Sequence, residues 1–271
     1  MSRRKKRLIA RNPLIRLGKA VFYYLVAVPV LFLITQLFLG LRVRGWRNIK
    51  ALKGQGFVMA CSHNHYFDCV AQGLLLCPRR GIYTSLEATF SWPVVGQLIR
   101  LLGAVPVPKN PGKMRGFFQE MAGAVRRGRI VLMYPEGELL PFCRHLREFH
   151  DGAFMIAAMA QAPVIPAVVT FRERKGLYRL LKRRPCITIT AGEPVYPQHG
   201  ESLRREAHRL GLAVRDAMEE LMEAERPWDE PEHRGKTTSA FSGVSAAHPA
   251  FDPSADSLPA AEVLPEACPS E

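Results

Sequence analysis

Residues 56–77 read GFVMACSHNHYFDCVAQGLLLC. Positions 56–61 form an apolar run of strand length, 62–67 are polar or aromatic, and 68–77 return to an apolar helical pattern. A strand that enters a helix through a short polar turn is the repeating unit of an α/β fold. The alternation continues along the chain. Further strands are expected at 81–85, 104–107, 130–134, 164–170 and 186–190, and further helices at 90–102, 113–127, 152–161 and 201–223. Met114, Phe117, Met121 and Val125 recur at helical spacing, as do Leu210, Val214, Met218 and Leu221, and both stripes are assigned to the core. The expected fold class is α/β, with a sheet largely covered by helices.

The chain has 271 residues and a net charge of +14. Residues 1–19 carry eight Lys/Arg and no acid, whereas 226–271 carry three basic and eight acidic side chains, which leaves about +11 on residues 42–225. Such a surface suits phosphate-bearing partners, either nucleic acid or anionic lipid. Between Lys19 and Arg42 runs AVFYYLVAVPVLFLITQLFLGL, 22 residues without a formal charge. As a helix it extends about 33 Å, enough for a bilayer core, and it lacks the cleavage site of a signal peptide. Membrane lipid is therefore the expected partner. Basic residues on both sides, with Pro29 inside, favour a re-entrant anchor with both ends at the cytoplasmic face over a spanning one. Nucleic acid is not expected, because the basic stretches are poor in aromatics and hold no zinc-finger or RNA-binding signature. The six cysteines, at 61, 69, 77, 143, 186 and 268, form no C-x-x-C pair, which points to a reducing compartment and away from a zinc ribbon. The expected organisation is a basic segment at 1–19, a membrane anchor at 20–41, a folded domain at 42–225 and a disordered Pro/Ala/Ser/Glu-rich tail at 226–271.

The polar turn carries the chemistry. On one continuous helix His63 and Asp68 lie about 140° apart, so they meet only if a turn separates them. With His63 at a strand end and Asp68 in the first turn of the next helix, the carboxylate accepts one imidazole N–H and leaves the other nitrogen free to take a proton. No Ser or Cys nucleophile stands out beside them, which suits direct activation of a substrate hydroxyl. Two other readings stay open on the residues alone. His63, His65 and Asp68 form H-x-H-x-x-D, which is similar to the H-x-H-x-D-H run of metallo-β-lactamase-type hydrolases, but with the aspartate one place late and Cys69 in place of the last histidine. The pair is also compatible with a purely structural helix cap.

The ordered set of motifs resembles the glycerolipid acyltransferase family, of which lysophosphatidic acid acyltransferases are the best known. Its H-x4-D block is matched by His63 and Asp68. "GAVPVPK" fits its G-x-[IV]-[FP]-[IV]-x-[RK] block, with Gly103, Pro106 and Lys109 in register. The [FY]-P-E-G block is matched by Tyr134, Pro135, Glu136 and Gly137, and the apolar block with a central proline by "VIPAVV" around Pro166. "VRGWRNI" (43–49) and "FHDGAF" (149–154) look like the family's lead-in and its F-x-x-G-[AS] segment. The likeness covers roughly residues 40–195.

The resemblance implies a mixed sheet covered by helices, behind a membrane-associated N-terminal segment. It implies transfer of a fatty acyl group from acyl-CoA or acyl carrier protein to a lysolipid hydroxyl, without metal or organic cofactor. His63 would be the base, Asp68 its orienting acid, and Gly103, Lys109, Glu136, Gly137 and Pro166 substrate-binding, with Lys109 meeting an acceptor phosphate. One departure stands out. The third block usually continues Thr-Arg-Ser, and that arginine binds phosphate, whereas this chain has Glu138, Leu139 and Leu140. Arg144 and Arg147 are the candidate substitutes, against a reading of both as solvated loop charges. Ser62 stands where an asparagine often precedes the base, and His65 where a serine or threonine often follows it.

Overall fold

The computed structural model describes residues 23–91, 93, 95–181, 184–198, 200 and 202–225, with 17, 18 and 21 besides. The expectations for the basic start and for the tail at 226–271 fall mostly or wholly outside these residues. A helical segment comes first: π-helical turns at Tyr23–Ala27 and Thr35–Leu39 flank α1 (Val28–Ile34). It ends at Gly40, whose φ of +57° reverses the chain. Next come β1 (Arg42–Arg44), α2 (Trp46–Ala51), β2 (Phe57–Cys61), α3 (Asp68–Leu76) and β3 (Gly81–Leu86). They are followed by α4 (Val95–Leu102), β4 (Val105–Val107), α5 (Pro111–Arg126), β5 (Ile130–Met133) and α6 (Gly152–Ala160). The chain closes with β6 (Val164–Arg172), α7 (Leu177–Leu181), β7 (Cys186–Ala191) and α8 (Leu203–Ala224).

The seven strands form one mixed sheet in the order β1-β7-β6-β2-β5-β3-β4. β6, β2, β5, β3 and β4 run parallel, while β7 is antiparallel to β6 and carries β1 parallel to itself. Central β2 shows why both faces need cover, since all five of its residues are buried. Val58 and Ala60 point into a core with Phe117, Met121 and Val125 of α5, Phe154 of α6, and Leu210, Val214 and Met218 of α8. Phe57, Met59 and Cys61 point the other way, onto Ile49 of α2 and Ala71, Leu75 and Leu76 of α3. The expected stripes on α5 and α8 are those that pack, with Met114 and Leu221 at the margin of the first core.

The expected anchor at 20–41 holds no spanning helix in its described part. Among the described residues no helix is long and apolar enough to cross a membrane. Pro29 does not divide the segment, because it falls in the first turn of α1, where a missing N–H costs least. Tyr23, Ala27 and Thr35 are buried, whereas Leu25, Val26, Val30, Phe32, Leu33, Leu37 and Phe38 are exposed. The Tyr24 hydroxyl donates to the Pro78 carbonyl at 2.5 Å, and the Tyr178 hydroxyl to the Gln36 carbonyl at 2.7 Å. The segment therefore lies along the domain with an apolar face left open.

The VRGWRNI motif has a structural account. Gly45 has φ +74°, and a Cβ there would stand 1.9 Å from the Ala191 carbonyl oxygen at the end of β7. The Asn48 side-chain amide donates to that same oxygen at 3.1 Å. Glycine and asparagine thus lock β1 and α2 onto β7 through one acceptor. Gly45→Ala should lower stability by about 3 kcal/mol or more, because positive φ and a backbone clash act together. Asn48→Ala should cost about 1 kcal/mol, one hydrogen bond. Denaturant midpoints of the two variants check this order, and equal losses would refute it.

Candidate active site

The parallel strands β2, β3, β4 and β5 all end at one edge of the sheet, where ligands bind in open α/β sheets. The turn after β2 begins with Ser62, whose hydroxyl accepts the Val169 N–H at 2.9 Å. His63 follows, and α3 starts at Asp68. His63 Nδ1 lies 3.0 Å from Asp68 Oδ2. The same oxygen accepts the backbone N–H groups of Asn64 at 3.0 Å and His65 at 2.9 Å. Asp68 is fully buried, while the His63 side chain is 21% exposed. Asp68 Oδ1 has no partner among the described residues. Burial pushes the Asp68 carboxyl above its ordinary pKa, with the His63 hydrogen bond and the His65 N–H pulling it back. An ionised Asp68 acts as acceptor, so Nδ1 carries the hydrogen and Nε2 is the nitrogen left for a substrate proton.

A second layer comes from the segment after β5. The Tyr134 ring stacks on the His63 ring, with centroids 3.8 Å apart and planes within 15°. The Leu140 N–H donates to the His63 carbonyl at 3.1 Å, and the Phe142 N–H to the Asn64 carbonyl at 2.7 Å. The Asn64 amide donates to the carbonyls of Cys143 at 3.0 Å and Val169 at 2.8 Å. Glu136 is buried in this layer, held by Arg147 through Nε at 3.0 Å and Nη2 at 2.7 Å, both to Oε2. Arg147 Nη2 also donates to the Glu138 carbonyl. Burial raises the Glu136 carboxyl above its ordinary pKa, and the adjoining guanidinium and nearby His63 oppose it. Gly137, at φ +78°, brings its backbone so close to His150 that a Cβ would meet the ring at 3.0 Å.

The Acyltransferase family model matches residues 40–170. A 1-acyl-sn-glycerol-3-phosphate acyltransferase of Bacillus subtilis is 29% identical over 162 residues, 58% of this chain and 74% of that one. A lyso-ornithine lipid O-acyltransferase of Pseudomonas aeruginosa is also 29% identical, over 47% of this chain and 55% of its own. Over residues 40–170 the chain matches the acyltransferase family, and its curated relatives are glycerolipid and lyso-ornithine lipid acyltransferases; it is an acyltransferase by these matches. The crystal structure of the 1-acyl-sn-glycerophosphate acyltransferase of Thermotoga maritima shares the fold, at a TM-score of 0.51 and 22% identity over 78% of this chain and 90% of that one.

Within this acyltransferase the structure gathers His63, Asp68, Glu136 and Arg147 at the ends of β2 and β5. Gly103 makes a φ +92° turn before β4, and Lys109 is exposed just beyond that strand. Two strands separate β4 from β2, so they stand about 14 Å apart at a strand spacing of about 4.8 Å. Lys109 shares that edge of the sheet with His63 and Asp68. Arg144 is exposed on the loop, whereas Arg147 is committed to Glu136, so the two candidates are not equivalent. Pro166 corrects an expectation: it is buried inside β6 opposite Ala60, its ring beside Gly192, and it packs the sheet without facing a cleft. The His65 Nδ1 accepts the Phe67 N–H at 3.2 Å, as a turn-closing group does. Among the described residues no three His, Cys, Asp or Glu side chains gather as a metal site requires. The reading of the sequence missed Asn64. Its only signal was an amide in a turn whose other polar residues had roles, since its partners lie 79 and 105 positions away.

A raised Asp68 pKa means that the folded protein binds this proton more readily than the unfolded chain. The carboxylate therefore costs stability at neutral pH, and the cost fades as pH falls from the raised value toward the ordinary one near 4. Asp68→Asn keeps an acceptor oxygen and removes the buried charge. Its Tm at pH 7 should equal or exceed that of the wild type, and the gap should narrow on acidification. Thermal melts across pH read this directly, and a gap that widens at low pH contradicts it.

Proposed function

We propose that the protein transfers a fatty acyl group from an acyl thioester, acyl-CoA or acyl carrier protein, to the free hydroxyl of 1-acylglycerol-3-phosphate at the cytoplasmic face of a membrane. The observation that carries the reading is the His63–Asp68 contact at 3.0 Å, with its acceptor oxygen held by two further N–H donors. Asp68 fixes the tautomer and Tyr134 fixes the plane of the ring. His63 Nε2 takes the proton as the lysolipid oxygen attacks the thioester carbonyl. The tetrahedral intermediate collapses, the ester forms, and the C–S bond breaks. The imidazolium returns the proton to the leaving thiolate. General-base help of this kind contributes about 10²–10⁴-fold. No metal or organic cofactor enters these steps. The curated relatives support the acceptor, and the uncharged run at 20–41 with its exposed apolar side chains supports the membrane surface.

A second acceptor class is favoured by one observation. Of the two arginines that could answer the one absent after Gly137, Arg147 already has its charge engaged by Glu136. A lysolipid without a phosphomonoester fits such a site, and one relative acts on lyso-ornithine lipid by its name.

His63→Ala should fold and lose at least about a hundredfold in turnover. Asp68→Asn should also be severely impaired, because the amide allows the wrong tautomer. Both are measured with labelled acyl-CoA and a panel of lysolipids, after exhaustive chelation, which should leave wild-type turnover intact. Near-normal turnover in folded His63→Ala would exclude the mechanism. In the same panel Arg147→Ala should raise KM for 1-acylglycerol-3-phosphate more than for a zwitterionic acceptor. Equal effects on both acceptors would select the second class.

A further inference from the structure

The connection between β6 and β7 is unlike the other loops of the domain. Residues 172–184 read RERKGLYRLLKRR, seven basic side chains against one acidic. Inside it α7 exposes Leu177 at 68% and Leu180 at 83%. The two are three residues apart and share one helix face. Lys175 and Arg179 are exposed beside them. A five-residue helix with two bare leucines gains nothing by displaying them to water, where burial of each is worth more than the helix itself.

The arm is anchored at both ends. Tyr178 hydrogen-bonds the Gln36 carbonyl, its ring packs near Gly40, and Arg172 donates to the Gly40 carbonyl. α7 is thereby tied to the end of the N-terminal segment, a segment that exposes Leu33, Leu37 and Phe38. On the other side the Arg184 guanidinium stacks on the Phe142 ring at 5.4 Å, and Phe142 is bonded to Asn64 next to the catalytic histidine.

We infer that α7 and its flanking cations are a second lipid-docking element, which lays the catalytic edge of the sheet onto an anionic phospholipid surface. The inference rests on the proposed action at a membrane, but names a separate contact. The occupant follows from the chemistry: leucines on a short helix enter the acyl boundary of a bilayer, while interleaved Lys and Arg meet phosphate headgroups. The continuity with the apolar face of the N-terminal segment extends one surface rather than creating two. The consequence is positional. A lysolipid drawn from that surface reaches His63 past Phe142 without crossing bulk water.

The test uses the full chain and sedimentation with vesicles of mixed phosphatidylglycerol and phosphatidylcholine, or phosphatidylcholine alone. Lys175→Gln/Arg179→Gln and Leu177→Ser/Leu180→Ser should each lower partition onto the mixed vesicles by about tenfold or more, with unchanged thermal melts. The charge pair should matter less as salt rises. Leu33→Ser/Leu37→Ser reads the N-terminal contact separately. If only the α7 pairs lose binding, the inference stands and the N-terminal contact fails; if only the N-terminal pair loses it, the inference is overturned. Equal binding of the wild type to phosphatidylcholine alone overturns the anionic assignment. A lipid-free dimer abolished by Leu177→Ser/Leu180→Ser would give the face to a second copy and likewise overturn it.

Discussion

One carboxylate oxygen organises the turn between β2 and α3, where the candidate site lies. Asp68 Oδ2 receives the imidazole of His63 and the backbone N–H groups of Asn64 and His65. Those three donors cannot reach one point unless the chain after β2 turns sharply and α3 begins at Asp68. The turn in turn aims the carbonyls of His63 and Asn64 outward, where Leu140 and Phe142 bind them. A buried charge is costly in an apolar setting, and the donors offset that cost on one oxygen only. Among the described residues the other oxygen has no partner.

The layer above repeats the arrangement. Glu136 is a second buried acid, with its cation turned toward the mouth and its Oε1 unpartnered. Two acids behind two cationic or protonatable groups place negative charge inside and leave only hydrogen-bonding edges at the surface. Asp68 is in contact with the His63 ring, and Glu136 lies near it. Tyr134 adds a flat wall, and its hydroxyl is held well above its ordinary pKa, chiefly by burial.

Much of this frame was readable from residues 42–225. The strands expected at 56–61, 81–85, 130–134 and 186–190 lie within one residue of β2, β3, β5 and β7, because each is a long apolar or β-branched run bounded by turn residues. β1, α2 and α7 were not readable. They span three, six and five residues, are rich in Arg and Lys, and are held by distant acceptors such as the Ala191 and Gln36 carbonyls, which no local pattern reports. The site divides in the same way. The His63–Asp68 contact is local, five residues long, and was legible. The Asn64 latch and the Glu136–Arg147 pair cross from one loop to another, so spacing carried no sign of them.

That difference bears on the acceptor. In a motif the cation for a phosphate follows the acid at a fixed short offset, so that acid and cation can serve different atoms. Here the cation lies eleven positions on and folds back onto the acid itself. Paired in this way, Arg147 and Glu136 present a neutral, directional surface rather than a positive one. A dianionic headgroup gains little from it, while a headgroup with both a donor and an acceptor gains two oriented hydrogen-bonding edges. Lys109 stands just beyond the end of β4 at the same edge of the sheet, with β3 and β5 between that strand and β2. Under the proposed function, discrimination between acceptors would turn on whether substrate binding separates Arg147 from Glu136. Separation would leave a buried carboxylate whose pKa burial already raises, and protonation of Glu136 would free the guanidinium for phosphate without leaving an unpaired charge behind.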